Sequence, residues 1–223
     1  MLNRRVIVTG GSRGLGLSIA QHLTSQGWQV AILARNQEAV SAALDQGVAM
    51  AGTAVDLVDP DAAAAAIEQL VDELGGLDAL VNNAGKVLRS RFDELQPDQF
   101  RAVIEQNLLS AVHATMAALP HLRQSGGGTL VQISSISGTH PLPGGSAYAA
   151  AKHALVGWSR SIFHELRDEG IRVSLVHPGS IASEGASGVD AAEISRVVMG
   201  ILEASPGTHI SEVEVRPLRV PGS

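Results

Sequence analysis

Arg-Val-Ile-Val-Thr-Gly-Gly-Ser-Arg-Gly-Leu-Gly, residues 5–16, is a short β-branched run followed by a glycine-rich turn. The run at 5–9 predicts a buried strand, and a helical pattern follows from about residue 15 to 26, before Gly27. Glycines in such a turn let the main chain bend tightly and bring the amides of a helix N-terminus close to an anion. A glycine cluster alone also fits an ordinary turn, but its position between the first strand and the first helix favours a site for a pyrophosphate.

The rest of the chain alternates short apolar runs with helical patterns of about ten residues or more. Strands are predicted at 29–34, 48–55, 78–82, 129–134, 171–177 and 210–215, and helices at 37–46, 59–74, 97–124, 146–168 and 190–204. This alternation predicts βαβ crossovers and a mostly parallel sheet with helices on both faces. We therefore predict an α/β fold, a single Rossmann-type domain over residues 1–223 with a doubly wound parallel sheet of about seven strands.

Composition limits the kinds of partner. The 223 residues carry a net charge of -6 and include 45% hydrophobic residues and no cysteine. Because there is no run of basic residues, we expect no nucleic-acid or anionic membrane partner. The absence of cysteine excludes disulfides and thiolate sites, and the histidines lack the spacing of metal ligands, so no metal is expected. No apolar stretch is long enough for a membrane span and Met1 leaves no room for a signal peptide, so we expect a soluble cytoplasmic protein.

The end of the second predicted strand indicates the cofactor. An acidic residue there would accept hydrogen bonds from the ribose hydroxyls of NAD, whereas arginine suits the 2′-phosphate of NADP. This chain has Ala34 followed by Arg35, and Arg13 lies in the glycine-rich turn. Two solvated arginines are the alternative, but two guanidinium groups without a carboxylate favour NADP(H) over NAD(H). Asp56, after the third predicted strand, is placed to accept a hydrogen bond from adenine.

Tyr148 and Lys152 form a second motif, in the helix-forming sequence Ser-Ala-Tyr-Ala-Ala-Ala-Lys at 146–152. Their spacing of four residues places both side chains on one face of a helix. A nearby ammonium favours an ionised phenol, so we expect Lys152 to lower the pKa of Tyr148 and make it a general acid or base. A buried tyrosine and a solvated lysine are the alternative for this motif taken alone.

Amide and hydroxyl side chains follow other predicted strands. Asn-Asn-Ala-Gly at 82–85 closes the fourth strand, and Ser135 follows the fifth, 13 residues before Tyr148. Asn107 interrupts a long helical pattern, where an amide is unfavourable unless it has a function or points to solvent. Because ligands bind beyond the carboxyl ends of parallel strands, these side chains can reach one pocket.

In order and approximate spacing, these motifs resemble those of the short-chain dehydrogenase/reductase family over nearly the whole chain. The matching positions are Thr-Gly-x-x-x-Gly-x-Gly at 9–16, Asp56, Asn-Asn-Ala-Gly at 82–85, Asn107, Ser135, Tyr-x-x-x-Lys at 148–152, and Pro-Gly at 178–179. The resemblance implies an enzyme in which NADPH passes a hydride to a substrate carbonyl carbon.

The resemblance also implies the role of each site residue. Tyr148 would protonate the carbonyl oxygen, and Ser135 would hydrogen-bond to that oxygen. Lys152 would bind the nicotinamide ribose and lower the pKa of Tyr148, while Asn107 would place a water that links Lys152 to solvent. Ser183 stands where the family usually has threonine and keeps a hydroxyl for the nicotinamide carboxamide. The implied cofactor contacts are Gly10, Ser12, Arg13, Gly14, Leu15, Gly16, Arg35, Asp56, Leu57, Asn83, Ala84, Gly85, Tyr148, Lys152, Pro178, Gly179, Ile181 and Ser183.

The substrate side is less defined by the sequence. Residues 180–189 form a short segment, rich in glycine and serine, where many family members have a longer helical lid, so we expect an open or mobile substrate side. The candidates for substrate contact are His140, Leu142 and the region 87–91 that begins at Val87. An exposed loop position is the alternative for His140. Residues 126–128 and 168–169 offer no basic group to a carrier protein, which disfavours a carrier-protein reductase without excluding it.

We therefore expect NADPH-dependent reduction of a ketone or aldehyde, 3-oxoacyl groups included, to an alcohol. An NAD-dependent alcohol dehydrogenase acting oxidatively, and a sensor that binds NADP(H) without turnover, remain alternatives.

Family members commonly pair the helices at 97–124 and 146–168 between subunits. We expect a homodimer or homotetramer, because these helices carry additional apolar residues, for example Leu108, Val112, Leu155 and Ile162.

Overall fold

The protein is described from a computed structural model that covers residues 4–182, 187–205 and 207–218. Its strands are β1 (Arg5–Thr9), β2 (Gln29–Ala34), β3 (Ala51–Ala54), β4 (Ala79–Asn82), β5 (Gly128–Ile133), β6 (Ile171–Pro178) and β7 (Glu212–Val215). Over these residues they form one seven-stranded sheet in the order β3-β2-β1-β4-β5-β6-β7, and every neighbouring pair is parallel. The predicted doubly wound parallel sheet is confirmed.

Helices cover both faces of the sheet. They are α1 (Gly14–Ser25), α2 (Gln37–Asp45), α3 (Pro60–Leu74), α4 (Pro97–Ile104), α5 (Ser110–Gln124), α6 (Ser146–Leu166) and α7 (Ala191–Leu202). Buried residues of α1, α2 and α7 pack on one face, and those of α3, α5 and α6 pack on the other. Strands buried on both faces read as continuous apolar runs, which is why β1 and β2 were recognisable in the sequence. Within the described segments, no helix is long and apolar enough to cross a membrane.

Three details differ from the predicted elements. The strand predicted at 48–55 is shorter because the chain is still leaving α2 at Val48, whose N–H donates to the Ala43 carbonyl at 3.0 Å. The helix predicted at 97–124 is divided by a π-helical turn, Glu105–Leu109. The last strand begins at Glu212, two residues later than predicted. Leu155, expected to be available to another subunit, is 1% exposed and packs inside the molecule.

The ends of β1 and β4 form the edge at which a ligand can enter. From β1 the chain builds the sheet outward through β2 and β3, and it then returns to place β4 on the other side of β1. The buried Thr9 Oγ1 accepts hydrogen bonds from the main-chain N–H groups of Asn83 and Ala84, both at 3.0 Å. Because connections diverge at this switch point, a cleft opens beyond the carboxyl ends of the strands.

Candidate active site

The glycine-rich turn brings the N-terminus of α1 to the edge of the sheet. Gly10 N–H donates to the Leu33 carbonyl at 2.6 Å, which holds the turn beside the end of β2. A side chain at Gly16 would collide with the Gly10 carbonyl oxygen, so only glycine permits this approach. Arg13 at the N-cap makes no side-chain capping bond, and the first turn of α1 contains no acidic residue. The amides of this turn therefore suit an anionic group such as a phosphate.

The outer cleft lies over this turn and the ends of β2, β3 and β4, and it has a volume of about 700 Å³. It gathers the predicted cofactor residues from the turn to the end of β4: Gly10, Ser12, Arg13, Gly14, Leu15, Gly16, Arg35, Asp56, Leu57, Asn83, Ala84 and Gly85. A space of this size beside a helix N-terminus fits the nucleotide half of a dinucleotide.

The far end of the outer cleft is formed by residues that follow β2 and β3. The exposed Arg13 and Arg35 both line it, while Asp56 Oδ1 accepts a hydrogen bond from Val58 N–H at 3.1 Å. Asn36 also lines this end, and the sequence analysis missed it. The sequence feature that could have indicated Asn36 is its position just before α2, where its side chain caps the helix by accepting a hydrogen bond from Ala39 N–H.

The inner cleft is a second space of about 350 Å³, bounded by β4, β5, α6 and the segment after β6. It shares Leu15, Asn83 and Gly85 with the outer cleft, so the two spaces adjoin each other. It brings together the predicted catalytic residues, the remaining described cofactor residues and two of the predicted substrate contacts: Ser135, Tyr148, Lys152, Asn107, Pro178, Gly179, Ile181, Val87 and Leu142.

Two predicted residues are not among those that line the cleft. His140 is exposed, and its Nδ1 lies 2.9 Å from Thr139 Oγ1 while its Nε2 lies 3.3 Å from Arg216 Nη2. Both ring nitrogens thus have partners in the loops, and His140 fits the loop alternative better than substrate contact. Ser183 lies outside the described residues.

Tyr148 is buried, and this burial dominates its acidity. Burial raises the pKa of the phenol, while an interaction with Ser135 and the positive charge of Arg89 act in the opposite direction. The expected effect of Lys152 is not among the causes of this shift, so that role stays a prediction. Lys152 Nζ lies 5.7 Å from the centre of the Tyr148 ring and donates its hydrogen bond to the Ile133 carbonyl at 2.9 Å instead.

Lys152 is a buried amine rather than a solvated one. The side chain is 3% exposed, and burial lowers the pKa of its ammonium to about 8. The cause is the loss of water around a charged group, which disfavours the protonated form. A lysine in this state can hold or release a proton close to neutral pH.

Asn107 closes the inner cleft from the side of the π-helical turn. Its Nδ2 donates to the carbonyls of Lys86 at 3.0 Å and Val103 at 2.9 Å, and its Oδ1 accepts from Lys86 N–H at 3.1 Å. A Cβ atom at Gly85 would lie 2.5 Å from Asn107 Oδ1 and 3.7 Å from Lys152 Nζ. The amide, the glycine and the buried amine therefore meet at one point.

The comparisons with known proteins agree with this arrangement. The family profile described as short chain dehydrogenase matches residues 4–193.

The chain belongs to the short-chain dehydrogenase family.

Relatives within this family differ in what they act on. A 3alpha-hydroxysteroid dehydrogenase of Mediterraneibacter gnavus is 31% identical over 205 residues, which is 89% of this chain and 82% of that protein. The 3-oxoacyl-(acyl-carrier-protein) reductase MabA of Mycobacterium avium is 32% identical over 209 residues, 94% of this chain and 78% of that protein. A metagenomic short-chain oxidoreductase solved in complex with NADP superposes with a TM-score of 0.87 at 35% identity, covering 98% of this chain and 99% of that one.

The titration of Lys152 in this short-chain dehydrogenase can be measured directly. Lys86 and Lys152 are the two lysines of the chain, so ¹³Cε-lysine labelling gives two signals, and the Lys86→Arg variant assigns the one that remains. Because burial disfavours the ammonium, we expect Lys152 in the protein without added cofactor to lose its proton at a pH of about 8, below the ordinary 10.5. Retention of the proton above pH 10 would contradict this assignment.

Proposed function

We propose that this short-chain dehydrogenase is an NADPH-dependent carbonyl reductase that converts a ketone or an aldehyde into an alcohol. The observation that carries the proposal is that the two clefts adjoin each other, with Leu15, Asn83 and Gly85 lining both. A helix N-terminus and two arginines line the outer cleft, and Ser135 and Tyr148 line the inner cleft beside it. Bound NADPH supplies a hydride, and the protein supplies orientation and the proton.

The acidity of Tyr148 favours reduction over oxidation. Because burial raises its pKa, the phenol stays protonated at neutral pH and can give its proton to the oxygen of a carbonyl that accepts a hydride. The reverse reaction would begin with removal of this proton, which the same burial opposes. An alcohol dehydrogenase acting oxidatively with NAD is therefore the second candidate.

Ser135, Lys152 and Asn107 support this proton transfer in our proposal. Ser135 donates a hydrogen bond to the carbonyl oxygen and stabilises the charge that develops there. Lys152 resupplies a proton to Tyr148, since its pKa of about 8 lets it gain and lose a proton near neutrality. Asn107, which is 1% exposed, fixes the wall beside Lys152 through its three main-chain bonds.

The outer cleft fits NADP(H) in three respects. The uncapped amides at the start of α1 would bind the pyrophosphate, and the glycine at position 16 lets the main chain of the turn pack closely against Gly10. Arg13 and Arg35 would bind the 2′-phosphate, and Asp56 would contact the adenine. The NADP complex of the metagenomic oxidoreductase, 35% identical to this chain, supports the same choice.

The relatives support several substrate classes. One is named for a 3-oxoacyl group on a carrier protein and another for a 3α-hydroxysteroid. The names of these similar proteins thus include both a ketone and a secondary alcohol as substrates. An inner cleft of about 350 Å³ holds a small substrate or one end of a larger one.

Replacement of Tyr148 by phenylalanine tests the reaction. We expect Tyr148→Phe to reduce kcat for NADPH-dependent ketone reduction by about 100- to 10,000-fold, because the general acid is lost. The dissociation constant for NADPH, measured by nicotinamide fluorescence, should change little, since the ring remains. Wild-type NADPH binding without turnover on a broad panel of ketones and aldehydes would favour the sensor instead.

Replacement of Arg35 tests the cofactor. We expect Arg35→Ala to weaken NADPH binding by about 10-fold or more and to leave NADH binding unchanged, because only NADPH carries the 2′-phosphate. Arg101→Ala is the matched control, since Arg101 is an exposed arginine of α4 that pairs with Asp98 and does not line the cleft. Equal effects on NADPH and NADH would contradict the assignment of Arg35.

An oligomer is also part of the proposal. Leu109 and Met116 lie on the helical segment of residues 105–124 and expose 36% and 65% of their surfaces. A second subunit packed on this segment would remove both apolar side chains from water. We expect a dimer or tetramer in sedimentation at micromolar concentration, and a monomer that persists there would contradict this part of the proposal.

A further inference from the structure

The inner cleft carries an excess of positive charge. Lys86, Arg89 and Lys152 line it, and no aspartate or glutamate does so among the described residues. The chain as a whole has a net charge of -6, so this local excess runs against the overall balance. Low-dielectric walls of one charge sign attract ligands of the opposite sign. The inner cleft therefore suits an anion better than a neutral or cationic molecule.

Arg89 occupies a defined place at the mouth of this cleft. Its Nη1 donates a hydrogen bond to the Pro143 carbonyl at 3.0 Å, and the neighbouring Ser90 N–H donates to the Gly144 carbonyl at 2.9 Å. These two bonds join the loop after β4 to the loop before α6. These bonds hold the exposed guanidinium where the two loops meet.

Most donors of the Arg89 guanidinium remain available. The group has five N–H donors, and within the described residues its side chain bonds to the Pro143 carbonyl and to no carboxylate. Arg91, two residues later, instead makes two hydrogen bonds of 3.1 Å to Asp93 and does not line the cleft. The two arginines of one loop thus differ, and only Arg89 can receive a carboxylate from a ligand.

The reacting hydroxyl is within electrostatic reach of Arg89. The positive charge of Arg89 opposes the effect of burial on the pKa of Tyr148. Coulomb interactions weaken with distance, so a group bound to Arg89 lies near the oxygen that Tyr148 protonates. The inner cleft has a volume of about 350 Å³, which limits the size of the bound ligand. A bound anionic group and the reacting carbonyl must belong to one small molecule or to one end of a larger molecule.

We propose that Arg89 binds a carboxylate of the substrate, so that the preferred substrates are short oxo acids whose carbonyl lies a few bonds from the carboxylate. This inference rests on the proposed carbonyl reduction and specifies its substrate class. The planar guanidinium can bind both oxygens of a carboxylate in a bidentate pair. A methyl ester of the same acid keeps the carbonyl, adds a single methyl group and loses the charge, so it is the matched neutral compound.

Paired substrates test the role of Arg89. The probes are 2-oxobutanoate, 3-oxobutanoate and 4-oxopentanoate, each compared with its methyl ester at saturating NADPH. For at least one pair we expect wild-type kcat/KM to be higher for the acid. Arg89→Gln should lower kcat/KM for that acid by about 10- to 100-fold, mainly through KM, and change the value for the ester less than threefold. Arg91→Gln is the control from the same loop and should leave both values unchanged.

A purely structural role of Arg89 predicts a different result. If its bond to Pro143 matters only for loop order, Arg89→Gln would impair acid and ester equally, and this would overturn the proposal. Arg89→Lys retains the charge without the planar fork and should restore part of the activity toward the acid. Ester preference in the wild-type protein for all three pairs would also overturn it.

Binding without turnover separates this inference from the proposed reaction. The same oxo acids are titrated calorimetrically into the protein saturated with NADP⁺, where no hydride is available for reduction. We expect the acid to bind more tightly than its ester, and Arg89→Gln to abolish the difference. If no ketone or aldehyde is reduced but this pattern is found, the carbonyl reductase fails and the carboxylate site stands. Reduction of neutral ketones together with equal binding of acid and ester overturns the carboxylate site alone.

Discussion

The side chain of Asn107 joins the helical segment of residues 97–124 to the loop that follows β4, through two hydrogen bonds with the main chain of Lys86. Its third hydrogen bond is donated to the main-chain carbonyl of Val103, and Asn107 itself lies in the π-helical turn. Gly85 is fitted against the same amide and has no room for a side chain. This packing sets the wall of the inner cleft, and the positions of the buried amine and the phenol across from it depend on that wall.

The two ends of the cleft differ in burial and in charge. At the outer end, exposed arginines and helix amides provide charge in contact with water, which suits phosphate groups. At the inner end, burial raises the pKa of Tyr148 and lowers that of Lys152, so both groups favour their neutral forms more than they would in water. At this inner end, Arg89 adds positive charge to that of the Lys152 amine, which is charged only in part. The two adjoining clefts can thus hold an anionic cofactor at one end and move a proton at the other.

The sequence allowed the parallel sheet to be predicted because its buried strands and helix boundaries are local patterns. It also allowed most of the site to be predicted, since residues after β1, β2, β3, β4 and β5 must meet at one edge of a parallel sheet. The pKa of Tyr148 could not be predicted, because burial and the bond from Lys152 to the Ile133 carbonyl depend on packing between distant elements. For the same reason the different partners of Arg89 and Arg91 were visible only in the structure, as were the contacts of His140 outside the cleft lining.

A crystal structure with bound NADPH tests the central claim most directly, namely that one cleft places the nicotinamide beside Tyr148. The account predicts the nicotinamide ring in the inner cleft, with its C4 atom facing the space in front of the Tyr148 and Ser135 hydroxyls, and the pyrophosphate against the first turn of α1. A nicotinamide bound outside the inner cleft, or a Tyr148 hydroxyl directed away from it, would contradict the account.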